Sequence, residues 1–179
     1  PAQNYRVTDE HLGDGGPKAK YERNVAAIRT LFTLEQENRN ATPEEQSVLA
    51  QYVGWGGLPD AFDPEKTGWA REYQELKDLL SEQEYEMARA STLNAHYTSP
   101  TVIKAIYEAV GGMGFTSGNI LEPSMGVGNF FGLLPDEMSG SRLYGGELDS
   151  ISGRVAQKVY PNAEITVAGF ETTDRRDVD

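Results

Sequence analysis

The chain contains no cysteine. That excludes disulfides, thiolate metal ligands and thiol nucleophiles together. Histidine is nearly as scarce, with only His11 and His96, far apart in sequence. A zinc site would therefore have to lean on carboxylates, and His96 beside Tyr97 reads as a packed or solvated side chain before a catalytic one. Long apolar runs are missing too: none approaches the roughly 20 residues needed to cross a bilayer. The opening stretch, PAQNYRVTDEHLGDGG, has neither the basic nor the apolar region of a secretion signal. The expectation is a cytoplasmic protein with no membrane partner. Basic residues are in the minority, 16 Lys and Arg against 28 Asp and Glu, a formal charge of −12. Nonspecific affinity for nucleic acid comes largely from cations neutralising phosphates, so this stretch is not expected to grip DNA unaided.

What remains suits a folded protein. The 179 residues are 38% hydrophobic and 25% charged, near the globular average and enough for one ordinary domain with an extra helical layer. No internal repeat is visible. Residues 1–90 read as a helical region. Lys18 to Leu34 places Tyr21, Val25, Ile28 and Phe32 at helical spacing. Thr42-Pro43-Glu44-Glu45 and Ser81-Glu82-Gln83-Glu84 are capping boxes, each a hydroxyl followed three residues later by a glutamate that can reach back. The first helix should bury Val48, Leu49 and Tyr52 and stop near Gly54; the second should carry Tyr85 and Ala88 inward. In GWGGLPDAF, Trp55 and Phe62 read as an aromatic clip pinning a loop to the core, with a recognition loop as the alternative.

From residue 91 the pattern changes to α/β. Ser99-Pro100 starts a helix with Val102, Ile103, Ile106 and Val110 on one face, ending at Gly111-Gly112. Three strand-like runs follow, NILE, RLYGGEL and EITVAGF, with ISGRVAQKVY as a helix between the last two, its Ile151, Val155 and Val159 at helical spacing. Strands alternating with helices predict a parallel sheet with right-handed crossovers.

Candidate chemistry sits after NILE. A loop at the carboxyl end of a strand lies where open α/β folds bind ligands, and Gly126 and Gly128 would let the backbone approach closely. Nineteen residues beyond Gly128, Glu147 ends the second strand, where a carboxylate can accept both hydrogen bonds of a ribose diol. The same residues would also serve a plain strand-to-helix turn and a surface carboxylate before a helix capped by Asp149 or Ser150. A dinucleotide and an adenosyl-amino acid are both compatible with such a turn. Glu122 at the loop entrance would repel a pyrophosphate and suits an ammonium and a sulfonium, so S-adenosylmethionine fits the charges better.

AHYTSPTVIKAIYEAV, LEPSMGVGNFF and YGGELDSISGRVAQKVYP, in that order, resemble the amino-terminal motifs of N6-adenine DNA methyltransferases. The likeness extends to methylase-like regions of very large phage and conjugative-element proteins, where YVGWGGLPDAF also has counterparts, and it covers about Ala41 to the end. It implies a partial Rossmann-like S-adenosylmethionine-binding fold over residues 91–179, preceded by the helical region. It also implies a cofactor site of Tyr97, Thr98 and Pro100 in the tract closing over the methionine part, and of Glu122, Pro123, Gly126, Gly128 and Phe130 in the cofactor loop. Glu147 would take the ribose, Leu148 the adenine, and Phe170 of GFE stands where the family has an acid-containing stretch. The family's Asn-Pro-Pro-aromatic motif, which holds a flipped adenine, has no match, since the sequence contains neither Asn-Pro nor Pro-Pro. The resemblance therefore implies a fragment ending before its catalytic motif, inactive by itself, with DNA engaged through a longer protein. A degenerate, non-catalytic interaction module of a mobile-element protein is the alternative. In the family's fold a fourth strand pairs with the first; without it a free sheet edge would call for a second copy or a rearranged tail.

Overall fold

The structure, a computed structural model, describes residues 1–8, 13–93, 98–122, 128–147 and 149–167. Among the described residues four α-helices come first: α1 (Pro17–Gln36), α2 (Pro43–Leu49), α3 (Ala70–Leu79) and α4 (Glu82–Ser91). Helix α5 (Pro100–Gly112) leads into β1 (Asn119–Glu122), α6 (Asn129–Gly132), β2 (Arg142–Glu147), α7 (Ser150–Val159) and β3 (Glu164–Val167).

Helix α1 forms because its apolar positions recur every three to four residues, burying Tyr21, Val25, Ile28, Leu31 and Leu34 on one stripe. Both expected capping boxes are present. Thr42 Oγ1 accepts from the Glu45 N–H and the Glu45 carboxylate accepts from the Thr42 N–H at 2.8 Å; Ser81 and Glu84 reciprocate in the same way. Each satisfies two backbone donors that a helix start leaves over. Helix α2 ends sooner than expected, at Leu49, and Ala50 to Tyr52 continue as a turn whose Tyr52 N–H donates to the Leu49 carbonyl. Gly54, at φ 76°, belongs to the following loop and is not a helix cap.

The aromatic clip is observed. Trp55 is 1% exposed, and its ring stands edge-on to Phe62 at 5.4 Å, Tyr21 at 6.2 Å and Tyr52 at 6.3 Å. Such edge-to-face pairs add roughly 0.5–1.5 kcal/mol each beyond burial of their area. The GWGGLPDAF aromatics therefore belong to the core.

Among the described residues the sheet has three parallel strands in the order β1-β2-β3. Helix α7 lies between this sheet and the amino-terminal helices, packing on β2 and β3 from one side and on α1 and α2 from the other. That position requires apolar or small residues nearly all round. Ile151, Ser152, Gly153, Val155, Ala156 and Val159 are all buried. Gly153 lets helix and strand approach closely, since a Cβ there would meet Val167 Cγ2 at 2.8 Å. Arg154 emerges toward the helical layer, ion-paired to Glu35 and Glu84 at 2.8 Å each. The buried residues of the helices and the sheet join in one core cluster from Tyr21 to Tyr160.

Helix α5 corrects one expectation. Ser99 caps it as predicted, but its buried residues are Pro100, Ile103 and Tyr107, while Val102 and Ile106 are exposed. The inward stripe is turned because Tyr107 reaches α6: its O–H donates to the Phe130 carbonyl at 2.5 Å, and the rings of Tyr107 and Phe130 meet at 6.0 Å. A pattern of aliphatic residues alone does not foresee a tyrosine whose ring and hydroxyl are both satisfied inside. Among the described residues no helix is long and apolar enough to cross a membrane.

Candidate functional site

The parallel register brings the carboxyl ends of β1 and β2 side by side. Glu122, the last residue of β1, is opposite Gly145, and Glu147, the last of β2, lies two positions further on. Paired residues of a parallel ladder share a face, and so do residues two apart along a strand, which puts both carboxylates on one face with Cα atoms roughly 8 Å apart. Both are half-buried.

Glu147 is fixed by the turn into α7. Its Oε1 accepts from the Asp149 N–H at 3.1 Å. Asp149 caps the helix, Oδ1 accepting from the Ile151 N–H at 3.1 Å and Oδ2 from the Ser152 hydroxyl at 2.7 Å. A short acidic turn is thus tied to a helix start, where the helix dipole favours negative charge.

Across from it the loop after β1 returns to regular structure at Gly128. Gly128 is buried and left-handed, φ 81° and ψ 34°, a conformation costly for any residue with a Cβ. Phe130 packs against the core, and the next residues turn back through Phe131 N–H and Gly132 N–H donating to the Gly128 carbonyl. Tyr107 links this corner to Glu122: burial, and then the Glu122 carboxylate, push its phenol up to about 12, with Arg6 acting in the opposite direction. Asn129 is 7% exposed, and its Oδ1 has no hydrogen-bond partner among the described residues. A buried amide oxygen of that kind suits a bound donor, because an unsatisfied acceptor costs roughly 1–3 kcal/mol.

Of the expected site residues, Glu122, Gly128, Phe130 and Glu147 therefore gather at the carboxyl ends of β1 and β2. Pro100 is buried at the start of α5, and Thr98 is exposed just before it. Tyr97, Pro123, Gly126, Leu148 and Phe170 lie outside the described residues. Asn129 and Tyr107 were not anticipated. Asn129 sits inside the GVGNFF motif itself, and Tyr107 follows Ile103 at a spacing of four, the signal that could have found it.

A cavity of about 540 Å³ opens at the other end of the sheet, lined by residues that include Asn4, Arg6, Ser141, Arg142 and Glu164. It exists because the amino-terminal residues strap across α6 and α7, Tyr5 N–H donating to the Val159 carbonyl and Val7 N–H to that of Gly132. It lies at the amino-terminal edge, where open parallel sheets seldom hold ligands.

Comparison with known proteins gives one informative likeness. The chain is 24% identical over 159 residues, 89% of its length, to the defense against restriction protein B of Escherichia phage P1. It spans about 6% of that protein's length. No family model matches the chain, and no solved structure matches it.

Proposed function

We propose that this chain is the cofactor-binding amino-terminal part of a DNA adenine-N6 methyltransferase with a Rossmann-like fold, using S-adenosylmethionine. The observation that carries the reading is the pair of half-buried carboxylates, Glu122 and Glu147, on one face at the ends of adjacent parallel strands, beside a left-handed glycine that opens the next helix. The phage relative supports it: that protein is named for defence against restriction, and methylation of DNA bases is one chemical way of blocking a restriction nuclease.

The residues present fit the cofactor. Glu147 would accept the ribose diol, while Glu122 and the buried Asn129 Oδ1 are acceptors for the ammonium of the methionine end. When bound, the cofactor supplies an electrophilic methyl group on a sulfonium. The chain's own residues hold and orient that ligand, and orientation is where such a reaction gains most of its rate. Nothing in the sequence supplies the Asn-Pro-Pro-aromatic grip on a flipped base, so the chain by itself is not expected to methylate DNA.

Calorimetry with S-adenosylhomocysteine tests the assignment, with NADH as competitor. Binding by the wild type, a loss of about 10- to 100-fold in Glu147→Ala as charge-assisted hydrogen bonds disappear, and indifference to NADH are expected. Binding of NADH alone would replace the reading by a dinucleotide enzyme. Binding of neither would favour a non-catalytic interaction module, in keeping with the acidic composition.

A further inference from the structure

The cavity at the amino-terminal edge of the sheet has a built frame. Open α/β folds favour the other end because their loops converge there; here the strap of residues 4–7 supplies a wall. Asn162 N–H donates to Asn4 Oδ1 at 2.8 Å and Arg6 Nη1 to the Leu134 carbonyl at 2.5 Å, besides the backbone bonds of Tyr5 and Val7. Phe131, Leu134 and Leu143, all buried, add apolar surface to the lining. A volume of about 540 Å³ is that of a small-molecule site.

Arg142 is the side chain this frame leaves unused. It opens β2 and lines the cavity, and its guanidinium makes no hydrogen bond or ion pair among the described residues. Each of the other described arginines, from Arg6 to Arg154, places its guanidinium on a carboxylate or a backbone carbonyl. That is the expected outcome where 28 acidic residues outnumber 16 basic ones. A carboxylate also stands within reach of Arg142. The β2–β3 register pairs Tyr144 with Glu164, so Arg142, two residues earlier, shares a face with Glu164 at a Cα separation of roughly 8 Å. Glu164 lines the same cavity, yet the two do not pair.

The groups beside Arg142 are donors. Ser141 Oγ accepts from Gly118 N–H at 3.2 Å, which leaves its O–H to donate; Asn4 uses its Oδ1 on Asn162 and keeps its NH₂. A guanidinium fork joined by a hydroxyl and an amide suits a carboxylate. Glu164 sets the charge: a phosphate dianion would meet twice the repulsion that a monoanion meets there.

We propose that this cavity is a second ligand site, taking a small carboxylate monoanion with an apolar body, its carboxylate on Arg142, Ser141 and Asn4 and its body against Phe131, Leu134 and Leu143. The inference is independent of the cofactor reading, since none of these residues stands at the carboxyl ends of β1 and β2.

N-acetyl-L-leucine is the probe, titrated into the chain while backbone amide chemical shifts are followed. Saturable shifts at Asn4, Ser141 and Arg142 are expected, and N-acetyl-L-leucinamide, which lacks the charge, and inorganic phosphate should each bind about tenfold more weakly. Arg142→Gln, at an exposed position, should weaken the probe about tenfold, and Arg142→Lys, which keeps the charge without the fork, about threefold. Excess S-adenosylhomocysteine should leave the probe's affinity unchanged. Absence of shifts at these residues at about 10 mM probe, equal affinity for the acid and its amide, phosphate binding as tightly as the probe, or displacement by S-adenosylhomocysteine would overturn the proposal. Equal affinity in wild type and Arg142→Gln would overturn it as well, and should that variant fail to fold, the comparison of acid with amide on the wild type decides.

Discussion

Asn24→Asp exchanges one buried NH₂ for an oxygen and tests how the helical layer holds the YVGWGG loop. Asn24 is 0% exposed and makes two bonds, accepting from Val53 N–H and donating to the Gly54 carbonyl. The aspartate keeps the acceptor and loses the donor. It leaves the Gly54 carbonyl unsatisfied and faces it with a negative oxygen. An orphaned buried acceptor costs about 1–3 kcal/mol, more where charge is involved, so a loss of about 2–4 kcal/mol is expected at neutral pH. For a chain of this size that lowers Tm by roughly 5–15 °C. The sign of the pH dependence is the sharper test. Burial should raise the new carboxyl above its unfolded value, and the protonated acid can again donate to Gly54. Relative stability is then highest below the unfolded carboxyl range and falls as pH rises through the folded value. Thermal or urea unfolding of wild type and variant at pH 4.5 and pH 8 measures this. A difference that is the same at both pH values, or below about 0.5 kcal/mol, would show that the amide does not clamp the loop as described.

Gly153→Ala would place a methyl group 2.8 Å from Val167 Cγ2. Overpacking costs about 1–3 kcal/mol, against about 1 kcal/mol of helix propensity regained; the variant should be less stable, and Val167→Ala should recover part of the loss in a double-mutant cycle on urea midpoints. Arg154→Met removes the ion pairs to Glu35 and Glu84, whose partners are 26%, 36% and 17% exposed, so a discounted loss of about 1–2 kcal/mol is expected. Burial works to raise the Glu84 carboxyl, yet hydrogen bonds from Arg154 and Ser81 leave it lowered overall. This contribution is present above the unfolded carboxyl value and lost on acidification, so the Arg154→Met penalty should shrink as pH falls through that range, as read from thermal melts between pH 3 and pH 7.

What could be read in advance followed from local rules. The starts at Thr42 and Ser81 need only a hydroxyl, a glutamate and their spacing, and the strands and α7 follow from short apolar runs punctuated by turn residues. Glu147 at the end of β2 was legible for the same reason. Long-range choices were not. The inward turn of α5 depends on a carbonyl of α6, 23 residues away from Tyr107. Helix α3 carries Leu76 inward amid charged residues, so its sequence shows little apolar periodicity to read. The clip of Trp55 is legible as a ring contact, but that its indole N–H and the Tyr52 hydroxyl are buried with no hydrogen-bond partner among the described residues is not. Polar tips on buried aromatics carry long-range information that hydrophobic periodicity does not report.

On the proposed reading, the acidity of the chain and the chemistry of its site belong to different length scales. A formal charge of −12 spread over the surface is screened beyond roughly 8 Å at physiological ionic strength, so most of it neither draws a small cation into the site nor needs to. Glu122 and Glu147 are within about that distance of each other and half-buried, where the effective dielectric is lower and a charge interaction is several times stronger than in bulk water. A ligand with a sulfonium and an ammonium therefore feels the two strand-end carboxylates far more than the rest of the molecule. A DNA duplex presents a phosphate charge about every 1.7 Å along its axis and meets the whole acidic face. The same distribution of charge thus favours the cofactor locally and disfavours the polymer globally, which requires the grip on DNA to come from residues other than these.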